Sequence, residues 1–372
     1  MLKSIFVALF LLALVFIGMN GPQAMRSGSI KASIKELVNL DTLIGIKNYS
    51  LLQLGISGEP DNVIVGKNGF LFLGQNYSNS LSQYLGYVNP EIGQSQRYIQ
   101  QLQTIQVRAG IPIIFQVAPA KASIYPEFLP VLLQVKKPFI NTVEILNVAD
   151  ISFTPKSKIL ELKRQGYDTY WKGDTHWNEL GGYVAYIQLM NVLNETFGMQ
   201  FNAIKGLDYR SAPDLKFRDL DLFLKLNSSI ISKKRLFPND FSNAVEREDI
   251  LGKQTINIQA YNPITYLPEG NPKQSKNKNI STSSKTYAVQ NKHALNQKKV
   301  VWLRDSFGDA MSKPIFSTFE KVIAVHPRNL DAKKLKILMS GMKPDVIIIT
   351  LTERHAFDYL QKIVAMLDKQ VL

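Results

Sequence analysis

Four short apolar runs limit what this chain can become more than any other feature. They are IPIIFQVAP at 111–119, VVWLRDSF at 300–307, KVIAVHP at 321–327 and PDVIIITLTER at 344–354. Each is apolar on successive residues rather than alternate ones, the pattern of a strand buried on both faces, as parallel strands between two helical layers are. Helix-like segments lie between and after them. The first helix reads from EIGQSQRYIQQLQTIQVRAG at 91–110, with Gly110 near its C-cap. That alternation predicts an α/β fold with a mostly parallel sheet covered on both sides.

The chain has 372 residues, 45% of them hydrophobic and 20% charged, enough for a sizeable core. It opens with Lys3 and an uninterrupted apolar run from Ile5 to Met19, which suits a signal-peptide core or a slightly short membrane anchor. Either one carries the rest across a membrane. No A-x-A cleavage site stands between Asn20 and Met25, and Arg26 follows, which favours a retained anchor over residues 1–24. The spacing of Ile34, Leu37, Val38, Leu43 and Ile44 predicts a helical connector within 25–60, and the main domain then occupies 61–372.

That domain begins with VIVGKNGFLFLG, a predicted hairpin, since Asn68-Gly69 is a favoured two-residue turn. Residues 270–299 are polar and lysine-rich and read as an exposed, mobile insertion ahead of the VVWLRDSF strand. The net charge of +14 suits a polyanion partner of any kind, nucleic acid, membrane headgroups or an acidic polymer. With no cysteine, disulfides, thiolate metal sites and a cysteine nucleophile are excluded.

Two stretches carry chemistry. In WKGDTHWNELGG, Asp174 stands two residues before His176, close enough to accept the imidazole's Nδ1 proton and leave Nε2 free. In LRDSFGDAM, Ser306 follows a buried strand at a glycine-containing turn, the place where an open α/β sheet presents ligands and nucleophiles. A serine there needs a base, and the chain holds four histidines: 176, 293, 326 and 355. His293 lies in the polar insertion, and His326 precedes a proline at a strand end. His355 competes with His176, since TERHAF also ends a strand. The residues alone leave three readings open: a relay, two ligands of a metal, or a turn with a packed histidine and a capping serine.

GDTHWNELGG followed about 130 residues later by LRDSFGDAM resembles the extracytoplasmic polysaccharide O-acetyltransferases related to the alginate O-acetylation proteins. VIVGKNGFLFLG, PAKASIYPEFLP and RDLDLFLKL resemble further, less specific segments of that family. The resemblance implies an SGNH-hydrolase-like α/β/α sandwich, with Asp174 as orienter, His176 as base and Ser306 as nucleophile. It shows no clear G-x-N-D block, so the second oxyanion donor stays unassigned beyond the backbone around Ser306 and Phe307.

The resemblance also implies O-acetyl transfer through an acetyl-serine, without a cofactor, in the periplasm at the inner membrane. The acceptor would be a polysaccharide, acidic to suit the basic chain, and the donor partner a membrane-bound O-acyltransferase. Lys121, Tyr125, Trp177 and Arg354 are expected near the substrate; the rings of Trp171, Trp177, Tyr170 and Tyr183 either stack on sugars or, as such rings more often do, pack to stiffen the loop. For Arg354 an ion pair with Glu353 or another carboxylate is the competing expectation. An acetylesterase and a polysaccharide-binding scaffold are the rival functions; no nucleic-acid motif appears.

Overall fold

The structure, a computed structural model, describes residues 40–88, 90–134, 142–146, 148–204, 209–212, 218–227, 244–247, 256–260, 274–275, 287–292 and 294–369. The apolar N-terminal run, His293 and much of the lysine-rich stretch lie outside these residues. Among the described residues no helix is long and apolar enough to cross a membrane.

All four apolar runs are strands of one sheet. They are β3 (Ile113–Ala118), β10 (Asn296–Arg304), β11 (Phe319–Val325) and β12 (Val346–Thr352). With β4 (Ser152–Phe153) they form a parallel block in the order β4-β3-β12-β10-β11. Successive residues divide between two cores, as unbroken apolar runs require. Val300 and Trp302 of β10 pack with Ile348 of β12 on one face, whereas Val301 and Leu303 pack with Ile347 and Ile349 on the other. The helix Glu179–Phe197 and the helix Ser312–Thr318 cover the first face. Helices Ile92–Ala109, Ala332–Met342 and Glu353–Asp368 cover the second. This is the SGNH-hydrolase-like α/β arrangement with a mostly parallel central sheet.

Beyond β11 the sheet turns antiparallel. Strand β9 (Tyr287–Gln290) pairs with β11 and with Ile256–Ala260, which in turn pairs with Gln274–Ser275. The C-terminal part of the expected 270–299 insertion is therefore sheet, not loop: Val289 is buried, and Asn296–Lys299 begin β10. A buried valine on one face and a half-buried alanine on the other are all that this short outer strand needs, so composition alone misassigns it. Between these strands, residues 276–286 lie outside the described set.

The hairpin forms where the Asn68-Gly69 turn places it, with Val63–Val65 antiparallel to Leu71–Leu73. Asn68 and Gly69 both have positive φ, 53° and 76°, and the Phe70 N–H closes the turn on the Lys67 carbonyl at 3.0 Å. Within the expected connector, Leu40–Gln53 is helical.

Candidate active site

The site lies at the carboxyl ends of β3, β10 and β12. After Arg304 the chain leaves β10, and the Asp305 N–H still bonds the Thr350 carbonyl of β12 at 3.1 Å. Both Asp305 carboxylate oxygens are used in shaping the turn: Oδ1 accepts the Phe307 N–H at 2.9 Å and Oδ2 the Thr352 N–H at 2.8 Å. Burial would raise this carboxyl, but the nearby His355, the Thr352 N–H and Arg354 hold it down at about 2. Ser306 thus starts a 3-10 turn, Ser306–Met311, anchored to two strands.

The loop bearing Asp174 and His176 closes on itself before the helix Glu179–Phe197. Tyr170 bridges Trp177, and the Asn178 N–H bonds the Thr169 carbonyl at 3.0 Å. Asn178 then caps the helix by accepting the Gly181 N–H at 3.0 Å. Asp174 Oδ1 accepts the His176 N–H at 3.1 Å and also faces His176 Nδ1 at 2.5 Å. The local turn and the orienting bond are therefore one device.

Across the site His176 Nε2 lies 2.7 Å from Ser306 Oγ. A carboxylate only accepts, so the proton of the neutral ring sits on Nδ1 and Nε2 is the acceptor for the serine hydroxyl. The His176 side chain remains 25% exposed, enough for a substrate to reach the pair. Burial opposes charge on both partners. For Asp174 the His176 charge and bonds, aided by Arg218, prevail and hold the carboxyl well below its usual range. For His176, Asp174 and then Asp219 outweigh burial and raise the imidazole.

Asp219 is the residue that sequence reasoning missed. It starts the short helix Asp219–Phe223, within the RDLDLFLKL stretch that had carried no role. Its carboxylate accepts the Thr175 N–H at 2.9 Å and the Thr175 hydroxyl at 2.5 Å, and its Oδ2 lies 3.7 Å from His176 Nδ1. Burial and the neighbouring Asp174 raise it to about 6. Asp174, His176 and Asp219 each offer one ligand atom within 4.8 Å of the others. Two ligands on a tetrahedral ion would stand roughly 3.3 Å apart. The 2.5 Å between Asp174 Oδ1 and His176 Nδ1 instead suits a shared proton.

Three residues expected at the substrate hold the site together from behind. Lys121 is 4% exposed, and its ammonium donates to the carbonyls of Trp171 at 3.0 Å, Lys172 at 2.9 Å and Asp174. Tyr125 is buried, its hydroxyl 3.1 Å from Thr169 Oγ1 and accepting the Thr169 N–H at 2.9 Å; burial pushes its phenol up to about 12. Trp177 is buried with its indole N–H on the Phe307 carbonyl at 2.8 Å. Trp171 and Tyr170 are buried too, so none of these four rings offers a free face to a sugar. Tyr183 is half-buried and donates to the Ile204 carbonyl.

Arg354 does stand at the cleft. It borders a recess with Thr175, Gln83, Phe72 and Leu81, and its guanidinium lies 5.5 Å from the Phe307 ring centre. The competing ion pair with Glu353 does not form, because Glu353 accepts from Ala120 N–H, Ser123 Oγ and Thr142 Oγ1 instead. His355 faces Asp305, its Nδ1 3.4 Å from Oδ2, whereas His176 holds the serine. The Phe307 N–H, expected as an oxyanion donor, is taken by Asp305. The Ser306 N–H makes no hydrogen bond among the described residues.

No curated protein sequence matches the chain. Among solved structures, PatB1 of Bacillus cereus superposes with a TM-score of 0.52 at 15% identity, covering 79% of this chain and 97% of that one. A DHHW family protein from Eubacterium siraeum gives 0.50 at 13% identity, covering 84% and 99%. At such identities the likeness is one of fold. Residues 63–230 match the family model described as the SGNH hydrolase-like domain of acetyltransferase AlgX, a stretch that includes Asp174, His176 and Asp219 and stops before Ser306. The similarity to the SGNH hydrolase-like domain of that acetyltransferase family thus spans residues 63–230 of the chain.

Proposed function

We propose that this protein transfers acetyl groups to hydroxyls of an exported polysaccharide through an acetyl-Ser306 intermediate. The observation that carries the reading is the unbroken chain from Asp174 Oδ1 to His176 Nδ1 at 2.5 Å and from Nε2 to Ser306 Oγ at 2.7 Å. The match of residues 63–230 to an acetyltransferase family model supports acetyl as the group moved.

The serine oxygen attacks the carbonyl carbon of an acetyl donor while His176 Nε2 takes the hydroxyl proton. Asp174 stabilises the imidazolium so formed. The negative charge gathers on the former carbonyl oxygen, and the Ser306 N–H is the backbone donor left open for it. When the donor's bond breaks, His176 returns the proton to the leaving oxygen. A sugar hydroxyl then gives its proton to Nε2, its oxygen attacks the acetyl carbon, and Ser306 leaves and regains its proton.

The basic charge favours an acidic polymer, and the apolar N-terminal run favours action outside the cytoplasm, tethered at the inner membrane. A membrane-bound O-acyltransferase is then the natural source of acetyl groups. Purified protein given a chromogenic acetyl ester and a sugar oligomer tests this. Acetylated oligomer that disappears with Ser306→Ala is the expected result. Release of acetate with no acetylated sugar from any offered oligomer would make the protein an esterase.

A further inference from the structure

Thr175 lies between Asp174 and His176 in sequence, yet the carboxylate that its polar atoms bond is that of Asp219. Its N–H and hydroxyl both bond Asp219, at 2.9 and 2.5 Å. A hydroxyl that donates to Asp219 turns its lone pairs toward other donors, and Thr175 Oγ1 lies 3.1 Å from His176 Nδ1. The ring therefore faces Asp174 directly and Asp219 both through Thr175 and across 3.7 Å.

The short helix behind Asp219 is seated on the loop by its own contacts. The Leu220 N–H bonds the Gly173 carbonyl at 3.2 Å, and a Cβ on Gly173 would stand 2.7 Å from the Asp221 carboxylate. Only glycine allows so close an approach. Asp221 in turn accepts the Arg218 N–H at 2.9 Å, and the Arg218 guanidinium lies over the Trp171 ring at 3.6 Å.

We infer that Asp219 is a positioning residue for the Asp174–His176 pair, holding the loop through Thr175 and adding a second carboxylate that favours the charged imidazole. The inference rests on the proposed acyl transfer, in which His176 becomes positive as Ser306 attacks. The charged groups facing Asp219 are Asp174 and His176 on the loop and Arg354 on the C-terminal helix, with Arg218 and Asp221 on its own segment. Arg354 opposes Asp219 in its influence on His176. A raised Asp219 would also titrate close to the range in which the base works.

The test compares full-length wild type, Asp219→Asn and Asp219→Glu by two readouts. One is the pH profile of cleavage of a chromogenic acetyl ester. The other is the titration of His176 by NMR of protein with labelled histidine, which needs no turnover. Without the second carboxylate, the imidazolium is less favoured, so in Asp219→Asn His176 titrates lower and the acid limb moves to lower pH. The plateau falls about tenfold, since the transition-state charge loses part of its support. Asp219→Glu keeps the charge and holds the limb near the wild-type position even if its plateau falls.

A plateau that drops with both limb and His176 titration unmoved would overturn the inference, because that is what a loosened loop alone produces. An unchanged profile would overturn it equally. If Asp219→Asn fails to fold, Thr175→Val replaces it; a smaller shift in the same direction is expected, and no shift counts against the inference. If wild type cleaves no ester while Asp219→Asn still lowers the His176 titration, the proposed function fails and the electrostatic role stands.

Discussion

Trp177 donates its indole N–H to the carbonyl of Phe307 at 2.8 Å across 130 residues of sequence. The residue after the candidate base is thus bonded to the residue after the candidate nucleophile. His176 and Ser306 have the same separation in sequence and meet at 2.7 Å. Two loops that could drift independently are pinned one step beyond the reacting atoms.

Replacing Trp177 with Phe removes that pin and leaves a buried carbonyl without its donor, at a cost of about 1–3 kcal/mol. Urea unfolding should show the loss. Ester cleavage should fall in kcat more than it rises in KM, because the ring is not placed to touch substrate. A raised KM with unchanged kcat would instead return Trp177 to the substrate cleft.

Lys121→Met should be costly for a different reason. Its buried ammonium serves three carbonyls of the Asp174 loop, and all three would lose a charged donor. A stability loss of about 3 kcal/mol is expected from thermal denaturation, together with lower activity. Intact stability combined with weakened acceptor binding would mean that Lys121 contacts the polymer after all.

The helix after the loop touches the nucleophile turn closely. A Cβ on Gly182 would stand 2.5 Å from the Ala310 Cβ and 2.9 Å from the Ala310 carbonyl carbon. Gly182→Ala should therefore destabilise by about 1–3 kcal/mol through overpacking. Pairing it with Ala310→Gly, which removes one side of the clash, should recover part of the loss in melting temperature.

Acid should weaken the fold through His326. Burial, then Arg328, lowers this imidazole from 6.5 to about 4, and its Nδ1 accepts the Arg328 N–H, which a protonated nitrogen cannot do. Between those values the unfolded chain binds the proton and the folded chain does not. This contribution is complete above pH 6.5 and is lost as pH falls toward about 4. His176 is raised and acts with the opposite sign, so the difference between wild type and His326→Asn isolates the effect. The melting temperature of the variant should fall less steeply over that window.

The sheet was legible because strands buried on both faces are apolar on successive residues over most of their length, a pattern that polar segments do not imitate. Asp174, His176 and Ser306 were legible because each belongs to a compact motif, and the serine follows a strand whose end is a natural site. Their neighbours were not. Trp177 occurs beside the motif, and Tyr125 within PAKASIYPEFLP, whether they face a ligand or the core, and nothing in the string of residues gives the direction of such a side chain. Asp219 was hidden because its partner, Thr175, is 44 residues away and reaches it through a short helix. The D-L-D spacing around it was the one available signal. Val289 shows the converse: one buried residue made a strand inside a stretch whose composition reads as loop.

The most direct test of the proposed chemistry is mass spectrometry of peptides from protein quenched during turnover of an acetyl ester. Wild type should carry an acetyl group on Ser306, and Ser306→Ala should carry none. His176→Ala should lower ester turnover at least about 10³-fold, with the double variant hardly worse, since nucleophile and base act as a unit. Asp174→Asn should be comparable or milder. Turnover that persists in Ser306→Ala, with no acetyl group ever found on Ser306 in the wild type, would contradict acyl transfer through this serine.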